Sequence, residues 1–143
     1  MSQRAGIAMS AGYSGTPLYK KLGLRPGMRV LAVGMPPDVQ EVIESGVKGV
    51  VWVAQSTEFE AAHLFATRLS DLTRLLARAR KTLPPTGFIW ISWPKKSSAV
   101  ATDITEDRIR ELAFAFKLVD IKVCAVSEIW SGLKLVIRIK DRS

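Results

Sequence analysis

The sequence predicts a single three-layer α/β domain: a mostly parallel sheet with helices on both faces, finished by a C-terminal antiparallel hairpin. Three observations predict it. Met28-Arg29-Val30-Leu31-Ala32-Val33 and Phe88-Ile89-Trp90-Ile91 are nearly continuous apolar runs of strand length, as in strands covered on both faces. Such runs alternate with segments whose apolar residues recur at helical spacing. The last two strand-like runs, Val119–Ser127 and Leu133–Lys140, are joined by five residues that include Gly132, which favours a hairpin.

The elements follow in order. Residues 1–15, MSQRAGIAMSAGYSG, are small, polar and glycine-rich, and read as a flexible N-terminal tail; the single domain spans 16–143. In Thr16-Pro17-Leu18-Tyr19-Lys20-Lys21-Leu22-Gly23, Thr16 is suited to an N-cap, Pro17 to a first turn and Gly23 to a left-handed C′ position. Leu24-Arg25-Pro26-Gly27 turns the chain into the first strand, which runs to Gly34. Asp38 and Glu41 make a capping-box pattern for a helix carrying Val39, Val42 and Ile43 that Gly46 ends. Gly49–Ala54 is the second strand and Ala62–Thr67 a third. Ser70 is read as the cap of a long helix striped by Leu72, Leu75, Leu76, Ala79 and Leu83. Pro84-Pro85-Thr86-Gly87 breaks that helix before the strand Phe88–Trp93. Thr105 caps the next helix, with Glu106 and Asp107 in its first turn and Ile104 and Ile109 as a hydrophobic staple. In the final strand Leu133, Leu135, Ile137 and Ile139 alternate with Lys134, Val136, Arg138 and Lys140, so one face is polar.

The bulk numbers bound the protein's class. The 143 residues suit one domain with one sizeable core. Apolar residues at 48% with 24% charged describe an ordinary globular protein, and the longest apolar runs fall far short of a membrane span. Cys124 is the single cysteine, which excludes an intrachain disulfide and makes a reducing cytoplasm the natural compartment. The net charge of +8 is uneven: residues 1–60 hold six Lys/Arg against five Asp/Glu, and residues 61–143 hold fifteen against eight. A basic half attracts nucleic acid, acidic partners or phosphorylated ligands.

The order of elements from LGLRPGMRVLAVG through LLARARKTLPPTGFIWISW to the terminal hairpin resembles the Rossmann-like S-adenosylmethionine-dependent methyltransferase fold, over about residues 16–140. TPLYKKLGLRPGMRVL, WISWPKKSS, ATDITEDRIRE and LVDIKVCAVSEIWSGLKLVIR resemble a narrower family of short bacterial proteins carried as a domain of unknown function. The first resemblance implies S-adenosylmethionine as cofactor, but three departures disfavour it. The glycine-rich turn after the first strand is here Gly34-Met35-Pro36-Pro37-Asp38, whose prolines remove two N–H donors. Ala54-Gln55-Ser56-Thr57 stands where an acidic residue holds the ribose, and a strand–helix unit is missing, so the fold is truncated.

No catalytic constellation or metal set stands out. His63, the single histidine, is read as structural or superficial, and Cys124 as a small core hydrophobe. The doubly wound fold places ligands beyond the carboxyl ends of its strands, where Gly34-Met35-Pro36, Gln55, Thr67-Arg68 and Trp93–Ser98 fall. The candidate is a basic, partly aromatic cleft of Gly34, Trp93, Lys95, Lys96, Ser97, Ser98, Trp130, Ser131 and Lys134, able to hold an anionic small molecule. Arg74, Arg78 and Lys81 form a stripe on the outer face of the long helix, read as a solvated face. The expectation is a non-catalytic domain binding an anion or nucleotide-like ligand. A divergent methyltransferase and a nucleic-acid binding protein are the alternatives. The half-polar last strand also allows a homodimer.

Overall fold

The computed structural model describes residues 15–54 and 57–142. The expected tail, Gly15 apart, and Gln55 lie outside the described residues. In chain order the elements are α1 (Leu18–Lys21), β1 (Arg29–Val33), α2 (Pro37–Gly46), β2 (Val51–Val53), β3 (Ala61–Phe65), α3 (Leu69–Thr82), β4 (Phe88–Pro94), α4 (Glu106–Ala115), β5 (Leu118–Ala125) and β6 (Trp130–Ile137). Short 3₁₀ turns occupy Lys96–Ser98 and Ile139–Asp141. The six strands form one sheet in the order β2-β1-β3-β4-β6-β5. The first four are mutually parallel, and β6 is antiparallel to both β4 and β5. No helix among the described residues is long and apolar enough to cross a membrane.

Helices cover the two faces, and each face has its own core. On one side α3 and α4 bring Leu72, Leu76 and Ile109 onto Leu31, Leu64, Ile89 and Ile91. On the other, α1 and α2 bring Leu22, Val39 and Ile43 onto Val30, Ala61 and Trp90. Every residue of β4 is buried, which is why its sequence shows no alternation.

The terminal hairpin enters by insertion. Its second strand lies inside the sheet, zipped from Phe88↔Val136 to Pro94↔Trp130, and β5 takes the outer edge. The strand begins at Trp130, so the connection is shorter than expected. It also ends at Ile137: Ile139 lies in a 3₁₀ turn and is 81% exposed, no longer part of the alternation.

Helix starts are where local sequence misleads. Thr105 caps α4 as expected, its side chain accepting from the Arg108 N–H, with Ile104 and Ile109 buried beside it. By contrast, α3 begins one residue before Ser70, and its cap comes from a distant segment: the Leu69 N–H donates to Asp103 Oδ1 at 2.7 Å. Neither Thr16 nor Asp38 caps a helix; α1 and α2 start behind Pro17 and Pro36, without a side-chain cap. The end of α1 is as expected: Gly23 takes φ +74°, and the Gly23 and Leu24 N–H groups donate to the Lys20 and Tyr19 carbonyls, a Schellman closure. Gly46 is the last residue of α2, and its lack of a side chain admits Tyr19, which a Cβ would meet at 2.7 Å.

Candidate ligand crevice

Strands β1 and β3 pair in parallel and end together, so the chain leaves both at the carboxyl edge of the sheet. There the β1 exit needs glycine. Gly34 has φ +71°, and a Cβ on it would stand 3.0 Å from the Phe65 carbonyl oxygen. The close approach leaves a crevice of about 420 Å³ above the two strand ends. Phe65 and Trp130 form its aromatic wall, edge to face with ring centroids 5.2 Å apart. Thr67 supplies a hydroxyl, and the first turns of α3 supply Leu75 and the Asp71–Arg74 ion pair. Trp130 is held by its backbone: its N–H donates to Ser127 Oγ, and its carbonyl accepts from Val126 and Ser127.

The wall rests on a buried polar pair. His63 stacks against Phe65 at 4.3 Å between centroids, and Nε2 shares a 2.7 Å hydrogen bond with Ser92 Oγ. Burial lowers the His63 pKa to about 3, so the ring is neutral at physiological pH. His63 is 3% exposed and Ser92 fully buried, which makes them a support under the crevice.

The segments 93–98 and 129–131 do meet on one edge. Trp93 pairs with Ser131 and Pro94 with Trp130, and the Lys95 N–H donates to the Ile129 carbonyl at 2.8 Å. Of the nine residues expected in the cleft, Gly34 and Trp130 line the crevice. Lys95, Lys96, Ser97, Ser98 and Ser131 stand on the same edge without lining it. Ser98 is spent locally, its Oγ donating to the Lys95 carbonyl and accepting from the Val100 N–H.

Two expected members are elsewhere. Trp93 turns to the opposite face and packs in the α3–α4 core. Lys134 lies in mid-strand opposite Trp90, because β6 runs antiparallel and carries it away from the rim. Its ammonium sits 4.3 Å from the centre of the Phe88 ring, and burial first, then Lys122, lowers its pKa. Sequence reasoning placed Thr67 at the edge but missed Phe65, Asp71, Arg74 and Leu75. Helical spacing put Arg74 and Leu75 on α3, yet nothing local said which strand ends that helix overhangs.

Other features carry less chemistry. A cavity of about 590 Å³ opens at the amino ends of β1 and β3, where Arg29 Nε donates to the Glu58 carbonyl and the Glu60 carboxylate accepts from the Arg29 N–H. Burial raises the Cys124 pKa, which keeps the thiol protonated. Among the described residues no group of three His, Cys, Asp or Glu could hold a metal ion.

No family model and no curated protein matches the chain. Solved structures do. An O-methyltransferase from neocarzinostatin biosynthesis, NcsB1, in complex with S-adenosylmethionine, aligns at TM-score 0.56 and 11% identity over 78% of this chain and 49% of that one. The fibrillarin pre-rRNA processing protein of Methanococcus jannaschii aligns at TM-score 0.51 and 9% identity over 85% of this chain and 69% of that one. The ribosomal protein L11 methylase of Lactobacillus delbrueckii subsp. bulgaricus aligns at TM-score 0.51 and 11% identity, over 84% and 74%. The chain thus spans about half the length of the O-methyltransferase it matches. At such identities the likeness is one of backbone alone, and by backbone this chain has a Rossmann-like, methyltransferase-like α/β fold.

Proposed function

We propose that this chain is a small-ligand binding domain that takes a nucleoside-like molecule, with a flat apolar ring and a polar or anionic end, in the crevice between Gly34 and Trp130. The observation that carries the reading is the crevice's place: it lies beyond the carboxyl ends of β1 and β3, where open α/β sheets receive ligands, and pairs aromatic rings with Thr67 and Arg74. A ring stacked on Trp130 would leave its polar end toward Arg74, whose guanidinium can exchange Asp71 for an anionic group.

Methyl transfer is the second reading, favoured by the fold and by the S-adenosyl ligands named with several neighbours. The residues at the strand ends fit such a cofactor poorly. Pro36 and Pro37 carry no N–H donors, Ala54 follows β2 without a carboxylate, and Gly34 is accounted for by the Phe65 carbonyl. Calorimetry and thermal-shift titration with S-adenosylmethionine, S-adenosylhomocysteine, adenosine and AMP decide between these readings. We expect binding of a nucleoside or nucleotide that Trp130→Leu weakens tenfold or more. No heat and no shift at millimolar concentration of all four would overturn the crevice reading. Micromolar binding of the two S-adenosyl ligands alone would replace it with the methyltransferase reading.

A further inference from the structure

We infer that the crevice and the outer face of α3 together bind single-stranded nucleic acid, one base entering against Trp130 and the phosphates following Arg74, Arg78 and Lys81. The inference rests on the crevice reading for its base; for its backbone it rests on a separate observation, the distribution of unneutralised charge. Arg68, Arg78, Lys81, Lys95 and Lys96 make no ion pair and no side-chain hydrogen bond among the described residues. Lys20, Lys48, Lys117 and Lys140 are equally unpaired among these residues and lie elsewhere on the surface, but these five group around the crevice and along α3. Arg68 follows Thr67 at the crevice rim, and Lys95 and Lys96 stand behind Trp130, joined to its strand by the Lys95–Ile129 hydrogen bond.

The other two of these five continue from the crevice along one helix. Arg74 lines the crevice, and Arg78 and Lys81 follow it four and three residues on, a track about 10 Å long at the rise of an α-helix. Neighbouring carboxylates neutralise Arg74 and leave Arg78 and Lys81 without a partner among the described residues. Asp71 is held by Arg74, Asp103 caps α3, and Glu106 and Asp107 are held by Arg110. Glu128, beside Ile129, is an exposed carboxylate on the rim itself.

The combination selects the partner. A row of cations alone would suit any polyanion, but a crevice with room for one base and an aromatic wall is what a single strand uses, since its bases are free to leave the stack. A duplex keeps its bases inside and would meet only the cations.

The test is fluorescence anisotropy with labelled twelve-nucleotide oligo(U) and oligo(dT) and a duplex of equal length, at 50 and 200 mM KCl. At least one of the single strands is expected to bind at least tenfold more tightly than the duplex, with affinity falling steeply with salt. The exposed double variant Arg78→Gln/Lys81→Gln should weaken binding and flatten the log–log salt slope by about 1.4, roughly 0.7 for each lost phosphate contact. Trp130→Leu should lower affinity roughly tenfold and leave the slope unchanged; a melting curve checks that it stays folded. No binding of either single strand at 50 mM salt overturns the inference, as do equal affinity for the duplex and an unaltered slope in the double variant. If a free nucleoside binds the crevice while both single strands stay silent, only this inference falls. If neither binds, the crevice reading falls with it.

Discussion

Trp90 and Trp130 stand on the same face of the sheet, on the paired strands β4 and β6, yet in opposite circumstances. Trp90 is 1% exposed at the centre, and its indole Nε1 donates to the Leu22 carbonyl at 2.9 Å. Trp130 sits at the rim, partly exposed, touching Phe65 by its edge and forming a crevice wall. The lysines nearby divide in the same way. Lys134 lies over Phe88, while Lys95 and Lys96 stand at the rim without an anion. Mid-sheet polar groups are satisfied within the fold, whereas at the carboxyl edge aromatic surface and positive charge are left for something else to meet.

Substitution can break that contrast. Trp90→Ala removes the largest fully buried side chain and orphans the Leu22 carbonyl, and should cost about 3–5 kcal/mol in urea unfolding. Trp130→Ala should cost roughly 1–2 kcal/mol, because its ring is only partly buried. Equal costs would mean that the rim is core like the rest.

The support beneath the crevice should respond to acid. The folded pKa of His63, about 3, lies below its ordinary 6.5, so between these values the unfolded chain binds the extra proton. Stability should therefore be fully present above pH 6.5 and fall as the pH drops toward 3, with about 2 kcal/mol lost by pH 5. Ser92→Ala, which strips His63 of its partner, should cost about 1–3 kcal/mol at pH 7. Urea midpoints at pH 5 and 7, for wild type and His63→Gln, check the sign: the variant should lose most of the slope.

The smallest effects separate the two lysine environments. Lys134→Met gives up a cation–π contact but relieves a partly desolvated charge opposite Lys122, so stability should change by less than about 1 kcal/mol. Lys95→Met should leave stability within about 0.5 kcal/mol, the range of an exposed surface change. It should weaken oligonucleotide binding, and Lys134→Met should not. The reverse pattern would put the ligand at the α1 corner.

The legible part of the fold was the part written in local pattern. The apolar runs of β1 and β4 and the helical stripe of α3 name their elements because burial on both faces or on one stripe leaves a period in the sequence. Thr105 names its helix start because its partner is three residues away. The α3 cap was illegible because Asp103 reaches it from a remote segment, so Ser70, a plausible local cap, drew the assignment instead. In the site, the meeting of Trp93–Ser98 with the Trp130 segment followed from the hairpin alone, but Lys134 was misplaced because strand direction moves each residue about 3.3 Å from the rim.

By itself, then, the sequence determined the layers, the run of strands and helices, the excess of positive charge and the return of Trp130 to the edge where β4 ends. All of these follow from period, composition and short-range geometry. Only the tertiary structure decided that β6 is inserted between β4 and β5, that Trp93 faces the core while Trp130 faces the crevice, and that Arg74 and Phe65 meet beside Gly34. Those facts depend on contacts between residues far apart in the chain, made where the packed sheet brings two strand ends and a helix together.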